Sequence, residues 1–274
     1  MNINVDEKVQ KQREKFYNQI GRDEIYRQQI NINPNIYNKD KYGNLAGNQF
    51  DLAMDNAFDG FVIAVLQLYN EYKFDFELPK TELEIKGFKV HRWTTLPTID
   101  QFEKVLNKSC QLWIISTSYI SLSDMYLNSI KKFFDNGKGV YIWGDNDPYY
   151  ADANAVTKKL FGAEMSGNVP GNVTVKLQKE PKKSGLVISN IITTGLDFLF
   201  EGITIATIKD HPDLEPVMYG SVDNLVVASY NKDGKRAIID GGFTRLYYNW
   251  DTAGTGRYVK NAAAWLANIE NIPI

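Results

Sequence analysis

The fold is decided by a stretch at residues 140–156, which reads VYIWGDNDPYYADANAV. It begins as an apolar run typical of a buried strand, breaks at Gly144, and continues as a polar turn that leads into a helical pattern. The turn carries Asp145, Asn146 and Asp147, so it fits an active-site turn, a metal-binding loop or a well-capped helix start. A buried strand followed at once by a helix is the repeating unit of a parallel α/β sheet.

The same strand-and-helix unit recurs before this stretch. Strands are predicted at 89–95, 110–117 and 139–144, and helices at 76–88, 98–108, 121–137 and 152–162. Thr98 and Gln101 have the spacing of a capping box, whereas the apolar run at 59–69 fits either a strand or a helix. Strands that are apolar throughout, each followed by a helix, predict a doubly wound, mainly parallel sheet of the flavodoxin-like type.

The two ends of the chain differ from this pattern. Residues 1–50 are polar and rich in turn formers, which predicts an N-terminal arm, helical or extended, ahead of one α/β domain at 51–274. After residue 165 the strands become short and lead to an additional C-terminal β-hairpin at 224–242. An amphipathic helix at 255–269 closes the pattern.

Composition excludes several classes of protein. The chain has 274 residues, of which 43% are hydrophobic and 23% charged, as is usual for a globular protein with a real core. A net charge of −2 gives no electrostatic reason to expect nucleic acid as a partner. The best apolar run is too short for membrane insertion, and no secretory signal pattern is visible. We therefore expect a cytoplasmic protein, in which Cys110, the one cysteine, forms no intrachain disulfide.

The order of elements and several local stretches resemble the class I glutamine-amidotransferase-like superfamily, which is flavodoxin-like. These stretches are GFKVHRW at 87–93, LWIISTSYIS at 112–121, YLNSIKKFFDNGKGVYIWGDN at 126–146, GKRAIIDGGFTRLY at 234–247 and RYVKNAAAWLAN at 257–268. The resemblance is strongest to a non-catalytic branch, that of ThuA-like proteins and the N-terminal domains of intraflagellar-transport and gliding proteins.

The resemblance also implies what is missing. Catalytic members of the superfamily carry a nucleophilic Cys in the turn after the strand that matches 139–143, and here that turn reads Gly144-Asp145-Asn146. Cys110 lies instead at the start of a predicted strand, where a buried structural thiol is expected. The pattern therefore favours a scaffold without amidotransferase activity.

In an open parallel sheet, ligands bind beyond the carboxyl ends of the strands. This rule selects as candidate ligand-binding residues Ser116, Thr117, Asp145, Asn146, Asp147, Thr244 and Arg245. Asp145 and Asp147 could hold a hard cation, Ca²⁺ or Mg²⁺, and no other cofactor is indicated. The alternative is that the turn only satisfies its own hydrogen bonds and that Asp152 caps the next helix.

Two further features of this edge bear on function. Arg245 either clamps an anion or pairs with Asp240 or Asp251. Aromatic residues are concentrated in the same loops and favour a binding surface: Tyr149, Tyr150, Tyr247, Tyr248 and Trp250.

These observations favour a non-enzymatic binding or self-assembly module. Its partner would be another protein or a second copy, contacted through the N-terminal arm and the aromatic loops. One alternative is a hydrolase that uses Asp145 and Asp147 with a metal or water, and His211 as base. Another is a small-anion- or carbohydrate-binding protein that uses Arg245.

Overall fold

The computed structural model describes residues 38–250 and 254–269. The strands are β1 (Val62–Gln67), β2 (Lys89–Trp93), β3 (Gln111–Ile115), β4 (Gly139–Trp143), β5 (Met165–Pro170), β6 (Thr174–Lys176), β7 (Gly185–Leu186), β8 (Phe198–Phe200), β9 (Thr204–Ile208), β10 (Leu214–Tyr219), β11 (Leu225–Lys232) and β12 (Lys235–Asp240). The helices are α1 (Glu77–Ile85), α2 (Ile99–Leu106), α3 (Asp124–Asp135), α4 (Ala151–Phe161) and α5 (Thr255–Leu266).

The main sheet has eight strands in the order β2-β1-β3-β4-β12-β11-β10-β7. The first five positions are parallel, and their order is that of a flavodoxin-like sheet with β12 in the fifth place. The prediction of an α/β fold with a mainly parallel sheet is confirmed. The ambiguous run at 59–69 forms the interior strand β1, which is paired on both sides and almost wholly buried.

The predicted hairpin lies inside the main sheet and is not an addition to it. β11 and β12 pair antiparallel across the turn at Asp233 and Gly234, and β12 also pairs in parallel with β4. The sheet then continues through β10 and β7, while β5 with β9 and β6 with β8 form two small sheets. The carboxyl end of β12 therefore lies beside that of β4, which brings the two Gly-rich turns together.

The sheet is covered on both faces, as its apolar strands require. One hydrophobic cluster joins side chains such as Trp113 and Tyr141 to α5, and the other joins Leu112 and Ile114 to α2, α3 and α4. Local signals also hold: Gln101 N donates to Thr98 Oγ1 at 3.4 Å and Thr98 N donates to Gln101 Oε1 at 3.2 Å, completing the predicted capping box.

Helix α5 differs from its prediction. It was expected to be amphipathic, yet all of its residues are buried, including Arg257 and Lys260. The reason is a group of five buried charged residues that we call the Asp51 cluster: Asp51, Glu82, Lys86, Arg257 and Lys260. A polar helix face can be buried when its charges are paired in this way.

The distances in the Asp51 cluster are short. Asp51 lies 2.9 Å from Lys86, 2.8 Å from Arg257 and 3.0 Å from Lys260. Lys260 also lies 3.0 Å from Glu82 of α1. The cluster thereby joins α1 and α5 to the segment around residue 51.

That segment belongs partly to the predicted arm. Residues 1–37 lie outside the described part of the chain, but residues 38–50 contact the domain. The Asn44 side chain accepts hydrogen bonds from the backbone of Asp197 at 2.6 Å and Phe198 at 2.8 Å, and Leu45 and Phe50 are buried. Across residues 38–250 and 254–269, no helix combines the length and apolar character that a bilayer crossing needs.

Candidate functional site

A cavity of about 620 Å³ opens at the carboxyl edge of the main sheet. It lies between the loops after β1, β4 and β12 and the start of β9. Its lining residues are Tyr69, Tyr72, Asp145, Asn146, Tyr149, Ile203, Thr204, Phe243, Thr244, Tyr247 and Tyr248. This is the edge at which an open parallel sheet binds ligands.

The turn after β4 is shaped by Gly144. Its N–H donates to Asp240 O at 2.8 Å, and its carbonyl accepts from Phe243 N at 3.0 Å, so the turn is bound to the loop after β12. A Cβ at this position would lie 2.9 Å from Met165 Cε and 3.0 Å from Tyr150 Cβ. Glycine therefore allows the close approach that places Asp145 in the wall of the cavity.

Asp145 is 1% exposed, and its Oδ1 accepts a hydrogen bond from Asn146 N at 3.0 Å. Burial raises the pKa of this carboxyl well above its ordinary value. The Asn146 amide, the Arg245 charge and the Thr244 amide act in the opposite direction without reversing the shift, and Asp240 adds to it. The site therefore holds a carboxyl group that retains its proton to unusually high pH.

Arg245 is fully buried, and its guanidinium is bound on three sides. It pairs with Asp240, donates from Nη2 to Glu201 O at 2.6 Å and donates from Nε to Phe200 O at 3.1 Å. Asp240 also accepts from Tyr258 OH at 2.7 Å. Of the two sequence alternatives for Arg245, the structure shows the pairing with Asp240, and the guanidinium does not line the cavity. Asp251 lies outside the described residues.

The polar groups of the cavity wall bond mainly to one another. Thr204 Oγ1 donates to Asn146 Oδ1 at 2.6 Å, and Asn146 Nδ2 donates to Asp147 O at 2.9 Å. Thr244 Oγ1 accepts from Ile203 N at 3.0 Å. These side chains thus fix the loops around the cavity and keep little hydrogen-bonding capacity for a ligand.

Tyrosine rings form most of the remaining wall. Tyr149 meets Tyr69 edge-on, with centroids 5.6 Å apart and planes at 87°, while Tyr247 lies at 6.4 Å and 26° to Tyr69. Burial raises the pKa of Tyr69, and the neighbouring Tyr247 adds to the increase. Tyr72 and Tyr248 are 81% and 44% exposed, so they lie at the mouth.

The sequence located only part of this tyrosine set. Tyr149, Tyr247 and Tyr248 were expected at this edge and line the cavity, whereas Tyr69 and Tyr72 were not identified. Both follow β1, whose sequence fits a helix as well as a strand. The missed signal is that a run at 69–76, rich in aromatic residues, directly follows an apolar stretch.

Three other predicted site residues do not line the cavity. Ser116 and Thr117 are buried, and Ser116 Oγ accepts from Ala153 N at 3.1 Å at the start of α4. Asp147 points to its own turn, where its Oδ1 accepts from Tyr150 OH at 2.9 Å. Ser116 and Asp147 thus bond to the segment between β4 and α4, and of the predicted set only Asp145, Asn146 and Thr244 meet at the cavity.

Asp152 does not cap its own helix. The N-cap of α4 is Tyr150, which makes no side-chain capping bond. Asp152 instead accepts from the backbone N–H groups of Ser121 at 2.8 Å and Leu122 at 2.9 Å. Its carboxylate therefore fixes the loop before α3, a long-range role that the local sequence does not reveal.

His211 is not near Asp145. Asp145 lies just before the start of α4, whereas a Cβ built on Gly162, past the end of α4, would lie 3.9 Å from His211 Nε2. A helix of 11 residues is about 16 Å long. The structure therefore does not bring together the acid and base of the hydrolase alternative.

Metal ligands and thiols give no further site. In the part of the chain that the structure describes, no group of three or more His, Cys, Asp and Glu side chains could hold a metal ion. Cys110 is buried at the start of β3, and burial raises the pKa of its thiol to about 12. Such a thiol is not a nucleophile at neutral pH.

Comparison with known proteins gives only distant likenesses. No protein-family model matches the chain, and no curated protein matches it. Solved structures similar to it include a provisionally named GMP synthase subunit from Thermoplasma acidophilum, with 12% identity, a TM-score of 0.45, and coverage of 76% of this chain and 94% of that one. A provisionally named ThuA-like protein from Bacteroides uniformis has 12% identity, a TM-score of 0.48 and coverage of 76% and 91%.

A third similar structure is the carbohydrate deacetylase Agd3, with 15% identity and a TM-score of 0.42; the match covers 76% of this chain and 32% of that one. Each of these TM-scores lies below 0.5, so none of the likenesses transfers a site or an activity to this chain.

Proposed function

We propose that the protein is a non-catalytic binding module on an amidotransferase-like scaffold, and that the tyrosine-lined cavity is its ligand site. The observation that supports this most directly is the position of Asp145. It occupies the turn in which the catalytic relatives implied by the sequence resemblance carry a nucleophilic Cys, so the shaped cavity lacks that nucleophile and holds a carboxyl of raised pKa in its place.

The cavity has the features of a small-molecule site. Its volume of about 620 Å³ is within the range of about 300 to 1,000 Å³ that is usual for such sites. Its wall combines aromatic faces with one carboxyl group of shifted pKa, a combination that concentrates at binding and catalytic sites. A wall of mutually bonded side chains is also rigid, which lowers the entropic cost of binding.

A second candidate, a hydrolase with Asp145 as proton donor, is favoured by one observation. The raised pKa of Asp145 is what a general acid at neutral pH requires. The candidate lacks a partner base, because His211 lies near the far end of α4. We therefore place it second.

We also propose that the protein self-associates through residues 1–50 and the aromatic loops, and that it is cytoplasmic. The exposed rings of Tyr72 and Tyr248 at the cavity mouth are compatible with a protein partner that covers the cavity.

The test is a screen of a mixed small-molecule panel by ligand-observed NMR. The panel contains neutral sugars, amino acids, carboxylates and organic ammonium compounds. Replacing Tyr149 with Ala should abolish the signal of a true cavity ligand. Replacing Tyr119 with Ala, a 67% exposed tyrosine outside the cavity, should leave that signal unchanged.

Two results would overturn the proposal. If binding is the same in the wild type and the Tyr149→Ala variant, the cavity is not the ligand site. If a bound compound is converted to product over hours, the protein is an enzyme and the second candidate takes precedence.

A further inference from the structure

The titratable side chains of the cavity are acidic and not basic. Among the lining residues that the structure describes there is no Lys, Arg or His, and Asp145 is the one carboxyl group. Arg245 is bound to Asp240 and does not line the wall. Glu71, exposed in the loop after β1, is the main reason that the pKa of Tyr149 is raised, so its negative charge acts at the cavity. A wall without basic groups and with a negative charge nearby favours cations over anions.

Apart from its tyrosine hydroxyls and Asp145, the wall offers few free hydrogen-bonding side chains. The side chains of Asn146, Thr204 and Thr244 are bonded within the loops. A sugar would have to pair its many hydroxyl groups with these few partners, at a cost for each buried group left unpaired. A ligand whose surface is apolar but positively charged has no such requirement.

The exposed part of the wall is aromatic. Tyr69 is 4% exposed and is covered by Tyr149 and Phe243, so the accessible ring surface is that of Tyr149 and Tyr247 and, at the mouth, of Tyr72 and Tyr248. Aromatic faces carry negative electrostatic potential, and rings set at an angle around a small space hold methylated ammonium groups by cation–π attraction.

We propose that the cavity binds an organic ammonium cation, with its methylated nitrogen against Tyr149 and Tyr247 and its charge toward the part of the wall that holds Asp145. This inference rests on the proposed function, because it names the ligand class of the same cavity.

The proposal predicts a pH dependence. The charged or titratable side chains that interact electrostatically with Asp145 are Arg245, Asp240, Tyr149 and Tyr247, and of these only Arg245 is a cation. In the empty cavity Asp145 keeps its proton to unusually high pH, whereas a bound cation favours its ionised form. Binding should therefore release a proton and become tighter as the pH rises.

The experiment compares choline with its neutral isostere, in which a quaternary carbon replaces the nitrogen. Affinities are measured by calorimetry at pH 6 and pH 8. Choline should bind about tenfold more tightly than the isostere at pH 8, and more tightly at pH 8 than at pH 6. Asp145→Asn, which keeps the shape of the side chain, should remove most of both differences.

Ring variants separate cation–π attraction from simple packing. Tyr149→Leu should weaken choline binding about tenfold, while Tyr149→Phe should stay within about threefold of the wild type because it keeps the aromatic face. Tyr119→Leu is the matched control outside the cavity and should change nothing. Circular dichroism melts establish that each variant is folded.

The outcomes distinguish the two levels of the proposal. Equal binding of choline and its isostere overturns the cation inference and leaves an apolar ligand site. The same holds if a sugar or a carboxylate binds in a Tyr149-dependent manner and choline does not. If no compound of the panel shows Tyr149-dependent binding, both the inference and the proposed function fail.

Discussion

Two buried aspartates in this protein meet opposite environments. Asp51 lies among Lys86, Arg257 and Lys260. Asp145 instead accepts a hydrogen bond from the backbone amide of Asn146, and the nearest charge of opposite sign that acts on it is the more distant Arg245. Burial alone would raise the pKa of Asp51, but the three cations outweigh it and lower the pKa. At Asp145 burial dominates and raises the pKa.

The contrast separates architecture from function. A buried carboxylate that is surrounded by cations holds elements of the fold together, and removing it leaves uncompensated charges. A buried carboxyl that borders a cavity and lacks a cation in contact costs stability when it ionises. Groups of the second kind are retained at sites that bind or react.

The largest effect should come from replacing Asp51, the buried aspartate that is paired with cations. Asp51→Ala leaves Lys86, Arg257 and Lys260 with too little negative charge, so we expect a loss of about 3 to 5 kcal/mol in the free energy of unfolding. Urea denaturation at neutral pH measures it. Asp55→Ala is the control: Asp55 also contacts Lys86, at 2.6 Å, but its side chain is 39% exposed. Its loss should stay below about 1 kcal/mol, and equal losses would contradict the interpretation.

An intermediate effect should follow when the turn that carries Asp145 is crowded. In Gly144→Ala the new methyl group would contact Met165 Cε, which can move, and Tyr150 Cβ, which is fixed at the start of α4. We expect a destabilisation of about 1 to 2 kcal/mol, together with weaker Tyr149-dependent ligand binding. Thermal melts and the NMR screen provide both values. Unchanged stability would show that the turn has more space than the distances indicate.

The smallest effect is expected from replacing Asp145, and it has the opposite sign: the substitution should increase the stability of the protein. The folded pKa of Asp145 lies above its unfolded value, so the folded state keeps the proton and ionisation reduces stability as the pH rises. Asp145→Asn removes this cost and should be more stable than the wild type by roughly 1 kcal/mol at pH 8. The difference should disappear below about pH 4, where Asp is protonated in both states. Denaturation curves across this range test it, and a variant less stable at pH 8 would show that the carboxylate is stabilised.

The sequence predicts what depends on neighbouring residues. The capping box of Thr98 and Gln101 and the stop of α4 at Gly162 are local features, and both are present. The parallel sheet follows from the apolar strands, since each must be covered on both faces. The position of Asp145 follows from the parallel sheet, because the turns after parallel strands lie together at the carboxyl ends of those strands.

What the sequence does not predict depends on distant partners. The burial of Arg257 and Lys260 needs Asp51, about 200 residues earlier in the chain. Asp240, the ion-pair partner of Arg245, is only five positions away, but the two backbone carbonyls that also bind Arg245 are 44 and 45 positions away, in the β8 region. Spacing along the chain carries no record of such contacts, so an arginine near a predicted site was open to two interpretations and a charged helix face was expected in solvent.

The Asp51 cluster also constrains how the protein is made. Asp51 and Arg257 are separated by 206 positions, and a ribosome adds about 5 to 20 residues per second. Helix α5, which carries Arg257 and Lys260, is therefore synthesised roughly 10 to 40 seconds after Asp51. During translation the nascent chain can form its early strand–helix units, but the segment that begins the described domain can be secured only when the last helix has emerged.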